Sequence, residues 1–268
     1  MMLKLNDIEV IFNANTPSEI RALRGISLEV ERGDFVTVIG ANGAGKSTLF
    51  NAIAGTITPT RGLIHLNNRD ITRTPEHVRS ARIGRVFQNP LLGTCPGLTV
   101  HENLALAAKR GQRRGLRPGV KRAERKMFAA LLESVGMGLE ARLDSDVELL
   151  SGGQRQAITL LMATLAEPDI LLLDEHTAAL DPNAAAQIIN LTVSLAAERR
   201  LTVIMITHSM QQAVSVGSRI VMMNRGRLVF ELSDRERAQI TVDDLIRRFR
   251  DLANGSEFDE LSDRSLLE

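Results

Sequence analysis

One nine-residue stretch constrains this chain most. Gly40-Ala41-Asn42-Gly43-Ala44-Gly45-Lys46-Ser47-Thr48 fits the pattern G-x-x-x-x-G-K-[ST]. Phe35 to Ile39 before it reads Phe-Val-Thr-Val-Ile, a buried strand, and Leu49 to Ala54 after it reads as the first turns of a helix. In that setting the glycines let successive backbone N–H groups turn into one concavity. The following helix adds its free N–H groups and the positive end of its dipole. The stretch reads as a phosphate cradle, in which Lys46 reaches the β- and γ-phosphates of a nucleotide and Ser47 sets its hydroxyl on Mg²⁺. The plain alternative is a Gly-rich turn, and the flanking strand and helix weigh against it.

The 268 residues suffice for one large domain or for a core with a subdomain. Lys plus Arg number 33 and Asp plus Glu 32, so the net charge of +1 gives no global argument for nucleic acid or an anionic membrane. Cys95 is the single cysteine, which excludes an intrachain disulfide and fits a reducing compartment. No apolar run approaches the roughly 20 residues that span a bilayer. Lys4, Asn6, Asp7 and Glu9 argue against a signal peptide. The expectation is a soluble chain of cytosolic type.

Residues 2–12 alternate apolar and polar around Leu3, Leu5, Ile8, Val10 and Phe12, and residues 23–31 repeat the pattern. Both predict strands of an antiparallel sheet beside the nucleotide core. Phe12 either stacks on an adenine ring or packs under that sheet. Residues 62–66 predict another strand, with His65 exposed, and Ile83 to Phe87 a further one ending in Gln88-Asn89-Pro90. Gln88 there faces a loop. Thr99 to Glu102 fits a capping box that opens a helix through Ala108, and residues 123–135 predict a second helix. Between them, residues 109–126 carry nine basic side chains and one acid, Glu124. This run reads as a solvated loop and helix face; a patch for anionic lipid headgroups or nucleic acid is the sharper alternative. No aromatics interleave it, which weakens single-strand binding.

A second constellation follows. Leu150-Ser151-Gly152-Gly153-Gln154-Arg155-Gln156 opens an apolar helix, an anion site in principle and otherwise a loop. Asp169 to Glu175 reads as a buried parallel strand ending in two acids, Asp174 and Glu175. One such carboxylate can order a Mg²⁺ shell, and the next can polarise water for attack on a γ-phosphate. Asp181 sits at a helix start, where an N-cap is its plain role. Leu201 to Thr207 predicts a strand ending in His208, placed to contact a γ-phosphate if it lies beside the acidic strand. A hairpin turns at Arg225-Gly226, a last helix is capped by Thr241 to Asp244, and residues 254–268 read as a mobile polar tail.

The order of Gly40 to Thr48, Gln88, Leu-Ser-Gly-Gly-Gln, Asp174-Glu175, Leu180-Asp181 and His208 resembles the ATP-binding cassette (ABC) ATPases over about residues 2–232. The resemblance implies an α/β fold: a P-loop NTPase, RecA-like core with an N-terminal antiparallel β subdomain and an inserted α-helical signature subdomain. The expected boundaries are 1–90 for the β subdomain and first part of the core, 91–165 for the signature subdomain, 166–253 for the second part, and 254–268 for the tail.

The resemblance also implies two copies packed head to tail around two ATP molecules. Gly40, Asn42, Gly43, Ala44, Gly45, Lys46, Ser47 and Thr48 of one copy would hold each ATP. Ser151, Gly152, Gly153 and Gln154 of the other would close over its γ-phosphate. Phe12 would stack on adenine, Glu175 would be the general base, and His208 would hold the γ-phosphate and water. Gln88 would sense Mg²⁺ and the attacking water, Ser47 and Asp174 would complete the metal shell, and Asp181 would link the two sites.

Two departures stand out. Relatives usually carry Pro after the catalytic Glu, where this chain has His176, and little follows the hairpin near 221–230. His176 and residues 89–94 are similar to a group of bacterial transporter ATPases, some serving amino-acid uptake. The implied function is the ATPase subunit of a membrane transporter at the cytoplasmic face of the cell membrane. It would work with separate permease subunits and a substrate-binding protein, without nucleic acid. An exporter subunit, or a soluble cassette acting on nucleic acid or ribosomes, is the competing expectation.

Overall fold

The computed structural model describes residues 1–112 and 122–254. Along the chain the first elements are β1 (Leu3–Phe12), β2 (Ile20–Val30), β3 (Phe35–Ile39), α1 (Lys46–Ala54), β4 (Arg61–Leu66), β5 (Arg69–Asp70) and α2 (Glu76–Arg79). Then come β6 (Ile83–Val86), α3 (Val100–Ala108), α4 (Arg125–Glu133), α5 (Gly152–Thr164), β7 (Ile170–Asp174) and α6 (Pro182–Arg199). The last are β8 (Thr202–Ile206), α7 (Met210–Val216), β9 (Arg219–Asn224), β10 (Arg227–Leu232), α8 (Asp234–Arg237) and α9 (Val242–Asn254). Two compact units result: one joins Met1–Glu76 to the chain from Thr202 onward, and the other is His77–Leu201.

The first unit holds an antiparallel sheet in the order β2-β1-β4-β5. The buried residues of β1 switch from odd to even, Leu3 and Leu5 and then Ile8 and Val10. With a side-chain period of two, one face can take both pairs only across a bulge. The bulge lies at Asp7, whose φ is +49 and where the register of β1 shifts against both β2 and β4. Opposite it Gly25 has φ +79, and a Cβ there would sit 2.9 Å from Asp7 Oδ1. Polar Asp7 is thus the hinge that lets both halves of an alternating strand face one core. His65, expected exposed, is half-buried, paired with Lys4 on β1 and Asp70 on β5.

The same unit contains β3 flanked by parallel β8 and β9, with β10 antiparallel on β9. β3 and β8 are buried along their whole length, which explains their continuous apolar sequence. Ile39 and Ala41 join a core cluster with Met210 and Ala213 of α7, Ile220 and Met222 of β9, and Leu245 and Phe249 of α9. The end of β3 is therefore held by helices that follow much later in the chain.

In the second unit β6 and β7 pair in parallel, with Ile83 opposite Ile170 and Val86 opposite Leu173. Helices α3 to α6 and short 3-10 turns make up most of the rest. The Thr99 capping box is present: Thr99 N donates to Glu102 Oε2 at 2.8 Å and Glu102 N to Thr99 Oγ1 at 3.2 Å. Where it is described, the basic run is solvated in part: Lys126 is exposed, whereas Arg110 folds back onto the helices. Arg110 Nη2 donates to Ala163 O at 2.8 Å, Lys109 lies 3.7 Å from Glu124, and Arg125 makes a two-pronged bond to Asp144 at 2.6 Å. Residues 113–121 of that run, and residues 255–268 of the expected tail, lie outside the described residues.

Candidate nucleotide site

In the first unit the loop after β3 is shaped by positions that exclude a side chain. Gly40 has φ +151, and a Cβ there would lie 2.2 Å from Met223 O on β9. Gly45 has φ +99, and its Cβ would lie 2.7 Å from Ala22 O. The β9–β10 hairpin braces the loop: Gly226 N donates to Ala44 O at 2.9 Å, and Arg24 N donates to Gly226 O at 2.8 Å. Lys46 opens α1 and is 5% exposed. Its Nζ donates to Gly40 O at 2.6 Å and Ala41 O at 3.1 Å, so the buried ammonium is compensated by the loop's own carbonyls.

Gly43, Gly45, Lys46, Ser47 and Thr48 line an open cleft of about 360 Å³, with Ile20, Arg225 and Gly226 on its rim. Phe12 is 37% exposed and pairs across β1–β2 with Ile20. It stands one residue from the cleft rather than under the sheet. His208 follows β8, which runs parallel to β3 with Val38 opposite Ile206. That register carries His208 out of the sheet level with Gly40. Ser209 caps α7 just beyond, its Oγ accepting from Gln212 N at 3.2 Å.

In the second unit β7 is buried and delivers Asp174 and Glu175, both half-buried, at its C-terminal end. Val86 lies opposite Leu173, so the parallel register brings exposed Gln88 level with Glu175. Arg85 Nη2 donates to Asp174 Oδ2 at 3.3 Å, and its guanidinium lies 4.6 Å from the Phe87 ring centroid. Sequence reasoning missed Arg85, although an Arg inside an apolar strand three residues before Gln88 was the signal. Glu175 has φ +46, in the left-handed region that a side chain disfavours.

Ser151 is the N-cap of α5 and completes a capping box with Gln154: Gln154 N donates to Ser151 Oγ, and Ser151 N to Gln154 Oε1, both at 3.2 Å. Gln154 Nε2 also donates to Met137 O at 3.1 Å. A Cβ on Gly153 would meet Ala184 Cβ at 3.0 Å, so this glycine lets α5 lie close against α6. Ser151 and Gly152 face solvent at the positive end of α5. Farther along, Gln156 is 1% exposed and donates to Phe87 O at 3.3 Å, tying α5 to the strand that leads to Gln88. Asp181 caps α6, accepting from Asn183 N at 3.1 Å and Ala184 N at 3.0 Å.

A strand–loop–helix phosphate cradle and an acid-ended parallel strand define a P-loop NTPase. A family model described as "ABC transporter" matches residues 23–178. The chain is 39% identical over 248 residues to a tyrosine transport ATP-binding protein of Clostridioides difficile (strain R20291), covering 92% of this chain and 98% of that protein. It is 37% identical to the thiamine import ATP-binding protein ThiQ of Escherichia coli (strain UTI89 / UPEC), covering 86% of this chain and 91% of that one. Among solved structures it is similar to the dimeric ATP-binding cassette MJ0796 in a post-hydrolysis state bound to ADP and Pi. That match has a TM-score of 0.74 at 30% identity, covering 87% of this chain and 99% of that one. The chain belongs to the ABC transporter family, as an ATP-binding, ATP-hydrolysing subunit.

Proposed function

We propose that this chain powers a bacterial importer, with amino acids as the substrate class, by binding and hydrolysing ATP as a homodimer. Hydrolysis rests above all on one observation: Glu175 stands at the end of buried β7, with Gln88 level with it at the end of β6. Import of amino acids is supported by the likeness to the tyrosine transport protein over nearly its whole length. Among the described residues no helix is long and apolar enough to cross a membrane. The likeness to importer ATP-binding subunits supports separate permease subunits as the membrane path, and a substrate-binding protein would deliver the cargo. The chain would sit at the cytoplasmic face of the cell membrane.

In this reading residues 40–48 hold the phosphates, and Lys46 exchanges backbone carbonyls for phosphate oxygens. Phe12 stacks on the adenine. Glu175 takes the proton of the attacking water while His208 and Gln88 orient that water and the γ-phosphate. Ser47, Gln88 and Asp174 offer a hydroxyl, an amide oxygen and one carboxylate. Such a hard-oxygen set would suit Mg²⁺. When bound, the ion neutralises charge on the β- and γ-phosphates. Ser151, Gly152, Gly153 and Gln154 of a second copy close on the γ-phosphate through the α5 N-terminus, and Asp181 links the two sites. Residues 91–165 form the signature subdomain.

The test is affinity capture of tagged Glu175→Gln protein from detergent-solubilised membranes with ATP and Mg²⁺. A co-purifying polytopic membrane protein is the expected result. Ribosomal proteins or nucleic acid without a membrane partner would move the function to the soluble class.

A further inference from the structure

We propose that His176 is a positioning residue for Glu175 and acts through its hydrogen bond to Thr192 on α6. The inference rests on the reading of Glu175 as general base. Glu175 leaves β7 with φ +46, and a non-glycine residue stays in that region only where its surroundings over-determine it. On one side lies buried β7. On the other, Ala178 N donates to Glu175 O at 3.0 Å, closing a turn, and His176 is driven into the interior at 2% exposure.

Among the described residues, the His176 ring finds a polar partner on α6. Its Nε2 lies 3.1 Å from Thr192 Oγ1, and Thr192 Oγ1 lies 2.8 Å from Ile188 O one helical turn earlier. Two oxygens 2.8 Å apart repel unless a proton lies between them, and Ile188 O can only accept, so the single hydroxyl proton of Thr192 points to it. The hydroxyl oxygen then offers a lone pair to the ring, and Nε2 must carry the proton. The ring is held as the neutral Nε2–H tautomer in one orientation.

The segment from Glu175 to Asp181 is thus pinned to one helix twice. His176 fastens it at Thr192, in the middle of α6, and Asp181 fastens it at the α6 N-cap. Glu175 hangs directly before the first pin. An apolar side chain at 176 would fill the volume without the directional tie to α6, so that the turn after Glu175, closed by Ala178 N on Glu175 O, would lose its anchor in that helix. A carboxylate that must receive a proton from water needs that peptide fixed.

Thr192→Val deletes the hydroxyl at nearly constant shape, and Thr192→Ser keeps it. Steady-state ATP hydrolysis by Thr192→Val is expected to show kcat lowered about three- to tenfold, the worth of one buried hydrogen bond, with KM for ATP within about twofold. Thr192→Ser restores kcat. In a Glu175→Gln background Thr192→Val changes the residual rate by less than about twofold, since no base remains to be positioned. Histidine ¹⁵N spectra of the wild type show the Nε2–H tautomer for His176, a readout independent of turnover and of any variant's folding.

The failures separate. Near-normal hydrolysis by Glu175→Gln removes the base and the positioning role with it. A dead Glu175→Gln beside a Thr192→Val with wild-type kcat leaves the base standing and overturns the positioning. Equal losses from Thr192→Val in both backgrounds, or an Nδ1–H tautomer in the wild type, also overturn it.

Discussion

In the proposed function Lys46 and Phe12 would act on ATP by different physics, and their substitutions separate the two. Lys46 is a buried ammonium held by Gly40 O and Ala41 O. Lys46→Ala removes the charge proposed to meet the phosphates, and ATP affinity measured by calorimetry should fall at least about tenfold. Phe12 contributes a ring face. Phe12→Ala should weaken ATP by roughly 1 kcal/mol, about fivefold. The chain has no Trp and no Tyr, so Phe12→Trp gives one clean fluorophore, expected to be quenched by ATP. Unchanged Phe12→Trp emission at saturating ATP would place the adenine elsewhere. His176 gives a third prediction, in protein free of metal and nucleotide. Burial pushes its pKa from the usual 6.5 down to about 4. Above pH 6.5 the ring is neutral folded or unfolded. Below it the unfolded chain binds a proton that the native state refuses until about pH 4, so this group's effect on stability worsens as pH falls through that window. At pH 5 the loss should be about 2 kcal/mol. Urea melts at pH 7.5 and 5 should show it in the wild type, and the loss should be absent in His176→Gln. The sequence marked His176 as a departure, but its partner Thr192 lies sixteen residues away and only packing joins them.

At the scale of elements, what was legible was local. The Thr99 capping box and the Arg225-Gly226 hairpin follow from residues within four positions of one another, and both form. The β1 bulge was written in the odd-to-even switch of its apolar residues, yet plain alternation conceals it. Helix α7, immediately after His208, was not anticipated: it is seven residues long, and its place comes from packing Met210 and Ala213 under Ile39. In the basic run, charge alone does not say which side chain folds back. Arg110 does fold back: it is half-buried, and its guanidinium caps Ala163 O at the end of α5. Arg110→Ala should cost about 1.5–3 kcal/mol in urea unfolding, as loss of a charged buried hydrogen bond does. Arg125→Ala breaks an exposed ion pair with Asp144, which solvent screens, so its effect should be clearly smaller. Equal midpoints for the two variants would return Arg110 to the surface.

For the whole molecule, the order of motifs was legible because each is contiguous, and the partition into units was not, because it depends on the chain from Thr202 returning to the first 76 residues. Lys46 and Ser47 fall in one unit, and the signature at Ser151 in the other. If two copies share each ATP head to tail, a defect in the cradle and a defect in the signature must complement when they sit in different chains. Lys46→Ala supplies the first. Gly152→Asp supplies the second without a folding cost: Gly152 is exposed, a Cβ there meets only Leu180 Cδ2 at 3.4 Å, and an acid in the first turn of α5 suits its dipole. The new carboxylate would nonetheless repel a γ-phosphate approaching that helix end. Each variant alone should be inactive. Mixed one to one, half of the dimers are mixed, and each mixed dimer has one site with both defects and one with none. If each intact site turns over independently, the mixture should recover about a quarter of wild-type hydrolysis. No recovery, in mixtures shown by light scattering to form dimers with ATP, would mean that the cradle and signature serving one ATP belong to the same chain or that both sites must be intact for turnover. The same mixture made with Glu175→Gln protein separates those two, because nucleotide trapping in its one intact site does not require the other to turn over.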